Sequence, residues 1–307
     1  MGKERRQKVV ATVGGIAVAL LIGELVARAY LPTSHHHKLY VRSADPVLGV
    51  DLRPGADFQF EGGFVEIPGT RVVVSSQGLR GPELEIPKPP GPNRLLCVGD
   101  STTFGWGVEV DETWCHRLGL NLGARWVTAN LGVPGYNTRQ EVRLVELIGL
   151  PFEPDLIVLQ HEEGDSDPPL DNSPMGSVPY FFVGRSALLR LALGIGARFE
   201  ASAQSEEEEA MLGGLGETEG AKAALDDLRR LGAEHHFDIV VFTDNPLDPV
   251  FQEFDPGALT VEDLTQAVPL AHDDLRIPGD GHWNAEGHQR VADRMISRLH
   301  ARGLVEQ

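Results

Sequence analysis

The chain has 307 residues, 41% hydrophobic and 23% charged, and a formal net charge of −18. That length fills one sizeable core with a smaller appendage, and the composition excludes a disordered or fibrous chain. The absence of clustered Lys and Arg excludes nucleic acid as a partner, because phosphate contacts need them.

The N-terminus opens with Lys3, Arg5, Arg6 and Lys8, followed by the uncharged and mostly apolar run from Val9 to Gly23 and, past Glu24 and Arg28, more apolar residues to Leu31. This pattern predicts an anchor over residues 1–31, with residues 9–31 in the membrane once the end charges snorkel. Ala27-Arg28-Ala29 also has the small-x-small form of a cleavage site, but an uncleaved anchor is the favoured reading. The basic end stays in the cytoplasm, so the expected location is the cytoplasmic membrane, single-pass, with the remainder extracytoplasmic (periplasmic). His35 to His37 read as a solvated run beside the membrane rather than as metal ligands. No Cys/His spacing of the metal-binding kind occurs, and no metal or cofactor is expected.

Residues 32–92 are rich in Gly and Pro, with short β-type runs at Phe58-Gln-Phe60 and Arg71-Val-Val-Val-Ser75. They predict a small β-rich lead-in that ends at the stiff break Pro87-Lys-Pro-Pro-Gly-Pro92. A third segment, 93–307, alternates apolar strands with amphipathic helices. Strands are expected at 94–98, 126–131, 155–160, 237–243 and, more weakly, 260–263. Asp111 is expected to cap a helix whose Trp114, Leu118 and Leu122 share a face, and Thr138-Arg-Gln-Glu141 to form a capping box. The last helix starts at Asn284 and ends at Gly303. Ser177 to Phe199 reads as helical in its latter half, and Gln204 to Gly220 as an acidic surface loop. Cys97 and Cys115, in an apolar run and an amphipathic helix, read as buried free thiols. The fold class is α/β with a mainly parallel, doubly wound sheet, whose ligands bind outside the carboxyl ends of the strands.

Gly-Asp-Ser occurs twice, at Gly99–Ser101 and Gly164–Ser166. The first copy ends a predicted strand, which places Ser101 where this fold binds ligands. A serine nucleophile needs a base, and Asp280-Gly-His282 offers one: His282 takes the serine proton while Asp280, two residues earlier, fixes the imidazole tautomer. At the end of the second strand, Asn130-Leu-Gly-Val-Pro-Gly135 supplies glycines that let backbone N–H groups approach a ligand. Gly135 N–H and Ser101 N–H are therefore expected to face a developing oxyanion.

The order of these blocks resembles the SGNH, or GDSL-type, hydrolase family over residues 93–302. Glu24-Leu-Val-Ala-Arg28 and Ser76-Gln-Gly-Leu-Arg-Gly-Pro-Glu83 resemble its membrane-anchored bacterial branch. The resemblance implies a three-layer α/β/α sandwich, a triad of Ser101, Asp280 and His282, and oxyanion donors at Ser101 and Gly135. It also implies a third donor, an asparagine, after the third strand. Counting from Asp155-Leu-Ile-Val-Leu159 places that position on Gly164 and the following acid on Asp165, so this block has diverged and carries no amide side chain. Ser166 is then not the nucleophile. The expected activity is that of a membrane-tethered serine esterase acting on an acylated small molecule, glycan or lipid of the cell envelope. A polysaccharide O-acyltransferase and a non-catalytic glycan-binding or assembly relative are the alternatives.

Overall fold

The N-terminal apolar run forms one helix, α1 (Lys3–Tyr30). Its stretch Arg5–Ala27, 23 residues, is long and apolar enough to cross a membrane. The computed structural model describes residues 2–30, 36–60, 69–162, 165, 186, 188–189, 206–252, 259–269 and 273–306. Near the end of α1, the Glu24 carboxylate accepts hydrogen bonds from Ser186 Oγ at 2.8 Å and Leu188 N at 3.0 Å. Most of 177–199, read as partly helical, lies outside the described residues.

The lead-in forms two antiparallel hairpins, β1 (Tyr40–Arg42) with β2 (Val50–Leu52), and β3 (Asp57–Phe60) with β4 (Thr70–Val73). The five later apolar runs become one sheet of β5 (Asn93–Val98), β6 (Trp126–Asn130), β7 (Leu156–His161), β8 (Asp238–Thr243) and β9 (Thr260–Asp263). All pairs are parallel and the order is β6-β5-β7-β8-β9. The chain starts at β5, turns one way to β6, then crosses back to β7, so the order reverses between the carboxyl ends of β5 and β7.

Alternation along the strands divides the interior into two cores, because successive side chains leave opposite faces of a sheet. Leu95, Cys97, Leu156, Val158, Val240 and Phe242 pack against α2 (Trp114–Leu122) and the C-terminal helix. Leu96, Val98, Ile157, Leu159 and Val241 face the opposite layer, made by α3 (Thr138–Leu144) and α4 (Glu206–His235). The C-terminal helix α5 (Ala285–Ala301) buries Val291, Met295 and Leu299 completely and is capped by Asn284, whose side chain accepts from Glu286 N and Gly287 N. The result is the three-layer α/β/α sandwich that the motif order implies.

The lead-in shares the second of these cores: Leu39, Leu48, Leu52, Phe60, Val72 and Leu79 belong to the cluster that holds Leu96 and Leu131. Polar contacts fix the same seam. Tyr40 Oη donates to Pro134 O at 2.9 Å, Gln140 Nε2 to Leu48 O at 3.0 Å, and Arg143 pairs with Asp45 at 2.7 Å.

Four local expectations are corrected. Cys97 and Cys115 form a disulfide across the sheet–helix interface, with Cα atoms 5.9 Å apart, because the buried faces of β5 and α2 meet there. Thr113, not Asp111, caps α2 by accepting from His116 N, while Asp111 lies in the preceding 3₁₀ turn. The capping box of α3 begins one residue early, pairing Asn137 with Gln140. Residues 206–220, read as a loop on their charge and glycines, begin α4; Glu, Ala, Met and Leu outnumber the glycines there and favour helix.

Candidate active site

Ser101 opens the helical turn Ser101–Phe104 directly beyond β5, where Asp100 caps the turn by accepting from Thr102 N at 2.9 Å. The turn is braced from two sides. Asn130 Nδ2 donates to Thr103 O at 2.7 Å while Asn130 Oδ1 accepts from Gly132 N at 2.9 Å, tying the loop after β6 to the turn after β5. Buried Arg80 spans the lead-in: its guanidinium donates to Val73 O, Arg71 O and Val108 O and lies 4.9 Å from the Phe104 ring centre.

His282 sits on the loop between β9 and α5, held at its base by Ile277 N, which donates to His282 O at 2.8 Å, and by the bridge from Arg276 to Trp283. Gly281, at φ +94°, takes the left-handed turn that folds Asp280 back on its neighbour. The structure brings the three residues together: His282 Nε2 lies 2.8 Å from Ser101 Oγ, and His282 Nδ1 hydrogen-bonds Asp280 Oδ1. The side chains of His282 and Asp280 are 27% and 14% exposed, open enough for a substrate to enter and covered enough to hold the imidazole in place. Ser101 Oγ also lies 2.9 Å from Asp100 Oδ2, so two acceptors compete for one hydroxyl proton.

Gly135 lies in the turn from Val133 to Tyr136 with φ +81°. Among the described residues neither its N–H nor that of Ser101 has an acceptor. Gly164 and Ser166, named for the diverged block, lie outside the described residues. Asp165 is buried and makes no contact with the triad: its backbone oxygen accepts from Thr138 N at 2.9 Å and its carboxylate from Glu162 N at 2.6 Å.

Sequence reasoning missed three features. Trp106, 6.2 Å from the His282 ring between centres and 4.6 Å from Phe60, makes an aromatic wall that the lead-in completes. Buried His161 meets Thr138 Oγ1 at 3.1 Å and Asp248 Oδ2 at 3.4 Å, and so joins α3, β7 and the segment after β8. The third is a carboxyl cluster in which burial, reinforced by neighbouring acids, pushes Glu141, Glu162 and Asp165 well above the usual carboxylate range. Asp244 is raised as well, first by burial. Among the described residues no group of His, Cys, Asp and Glu has metal-binding geometry.

A parallel sheet wound in this order carries serine, histidine and aspartate at its carboxyl edge, the α/β arrangement that the resemblance to SGNH hydrolases implies. No family model matches the chain, and no curated protein matches it. Among solved structures it is similar to the crystal structure of TesA, at 12% identity over 68% of this chain and 99% of that one, with a TM-score of 0.46. It is also similar to the psychrotrophic esterase EstA from Pseudoalteromonas sp. (11%, 69% and 99%, TM-score 0.43) and to a carbohydrate acetylesterase family member from Sinorhizobium meliloti (16%, 68% and 98%, TM-score 0.40).

Proposed function

We propose that this chain is a membrane-tethered serine esterase that removes acyl groups from an acylated carbohydrate or lipid of the cell envelope through an acyl-enzyme. The observation that carries this reading is the 2.8 Å approach of His282 Nε2 to Ser101 Oγ, with Asp280 on the opposite ring nitrogen. Asp280 accepts a hydrogen bond from Nδ1–H, which leaves Nε2 free to act as the base. Ser101 Oγ attacks the ester carbonyl as its proton passes to His282. The oxyanion is stabilised by the Ser101 and Gly135 N–H groups, the alcohol departs with the His282 proton, and water then releases the acid by the same steps in reverse order.

Residues 1–31 serve as the anchor, 32–92 as the lead-in and 93–307 as the hydrolase part. Placement outside the cytoplasm is supported by the basic flank before α1 and by the Cys97–Cys115 disulfide, which suits an oxidising compartment. A second, non-catalytic reading is favoured by the diverged third block, where Gly164 stands at the position the resemblance gives to an asparagine donor. One experiment separates the two. The full chain in detergent is treated with a fluorophosphonate and the adduct mapped: labelling of Ser101, abolished by Ser101→Ala, is the expected result. An unlabelled chain, or label that survives Ser101→Ala, would sink the esterase reading.

A further inference from the structure

The register of the sheet brings Glu162 to the turn that carries the nucleophile. Val98 pairs with Leu159 across β5 and β7, and Ser101 and Glu162 each stand three residues further along at the two sides of the point where strand order reverses. Contact follows: the Thr102 hydroxyl, next to Ser101 in the chain, donates to Glu162 Oε1. The side chain is half-buried, and among the described residues Oε2 has no hydrogen-bond partner.

We propose that Glu162 acts as a neutral carboxylic acid whose Oε2 hydroxyl is the third hydrogen-bond donor to the oxyanion, in place of the missing amide. The Thr102 bond to Oε1 makes that atom the carbonyl-type oxygen and leaves the proton on Oε2. The surroundings keep that proton on. Asp100 faces Glu162 from the nucleophile turn, Asp244 from the end of β8, Glu141 from α3, and Asp165 from the turn that follows it. Glu141 is fully buried and neither of its oxygens has a partner among the described residues. Against these acids the described residues set the Arg276 guanidinium, from the base of the His282 loop, and His161 on β7. Burial first, then the like charge of Asp100 and Asp244, raise the Glu162 carboxyl and outweigh the opposing Thr102 hydrogen bond and Arg276, so the acid form persists where an isolated glutamate has ionised. No proton leaves Glu162 in the reaction; the hydroxyl only donates a hydrogen bond that shortens as negative charge develops on the carbonyl oxygen.

The proposal rests on the esterase reading, and its test keeps the two apart. Wild type, Glu162→Gln and Glu162→Ala are compared as full chains in detergent, with fluorophosphonate labelling of Ser101 as the check on the hydrolase itself. With p-nitrophenyl acetate, wild-type kcat should fall on the alkaline side as Glu162 ionises. Glu162→Gln, a permanent donor, should keep most of kcat and lose the alkaline fall. Glu162→Ala should lower kcat by about 10²-fold with little change in KM, as loss of one oxyanion donor does. Independently of turnover, the infrared difference between wild type and Glu162→Gln at neutral pH should contain the carbonyl stretch of one protonated carboxyl. Ser101 labelling with an alkaline fall unchanged in Glu162→Gln, or without that infrared band, overturns the donor role alone. Absence of Ser101 labelling overturns the esterase reading and the donor role with it.

Discussion

At the residue scale, the chemistry depends on contacts that admit no extra atom and on acids that must keep their protons. Gly132 illustrates the first: a Cβ built there would lie 2.2 Å from Phe104 N and 2.6 Å from Thr103 C, both backbone atoms of the nucleophile turn. Gly132→Ala should therefore displace that turn, lowering stability by about 1–3 kcal/mol, the usual range for overpacking, and reducing kcat more than KM. Urea denaturation with parallel kinetics checks both. Glu141 illustrates the second. Its carboxyl is raised by burial and then by Asp100 and Glu162, so the folded chain binds a proton that the unfolded chain releases. The resulting stability is fully present below the ordinary carboxyl value of 4.5 and is lost as pH rises toward the folded value, at up to about 1.4 kcal/mol per pH unit for one proton. Glu141→Gln should melt higher than wild type at about pH 8 and level with it at about pH 4; equal melting curves at both would refute a raised Glu141. The meeting of Ser101, Asp280 and His282 was legible in the sequence because they sit in two short motifs at the carboxyl edge of the sheet. The acid cluster was legible only in part: Glu162 and Asp165 stand together after the third strand, but Asp100, Glu141 and Asp244 come from separate segments and only packing brings them in.

At the scale of elements, strand positions followed from apolar runs because a sheet covered on both faces requires them, and all five fell within a residue or so of expectation. Helix starts were less legible. Thr113 and Asn137 outcompeted Asp111 and Thr138 as caps, and a sequence rich in Ser, Thr, Asp and Asn offers several candidate caps for each helix. The disulfide was missed for a different reason: Cys97 and Cys115 each suited an apolar face, and only the docking of α2 on β5 sets their spacing. It closes a loop with a sequence separation of 18, which the chain-entropy account values at about 3 kcal/mol. Reduction of the purified chain should lower its urea midpoint by a corresponding amount, and the double variant Cys97→Ala, Cys115→Ala should no longer respond to reductant. A second link between elements is His288 of α5, whose Nδ1 accepts from Trp114 N of α2 at 3.2 Å. Burial pushes His288 down to about 3, so it stays neutral and serves as an acceptor through the working range.

At the scale of the whole molecule, the lead-in, the sheet and the apolar helix α1 bear on one question raised by the proposed function, which side of a membrane the candidate site faces. The lead-in is packed into the core of the hydrolase part and supplies Phe60 to the aromatic wall beside His282, so the segment next to α1 is also part of the site's surroundings. This continuity was illegible beforehand, because Gly- and Pro-rich sequence with short β runs looks the same whether it hangs free or fills a groove. The first eight residues hold four bases and one acid, whereas the chain as a whole is strongly acidic, and the short basic flank rather than net charge sets the orientation of a single span. A fusion of alkaline phosphatase after Gln307 should therefore be active, and a green fluorescent reporter at the same site dark. Exchanging Lys3, Arg5, Arg6 and Lys8 for Gln should lower phosphatase activity by weakening the orienting signal, while the catalytic domain keeps its fold. Cys97 and Cys115 offer an internal readout: in cells they should be found oxidised with the wild-type flank, and partly reduced when the flank is neutralised and some chains stay inside. A fluorescent, phosphatase-inactive wild-type fusion with reduced cysteines would place the hydrolase part in the cytoplasm and turn the proposed substrate away from the envelope.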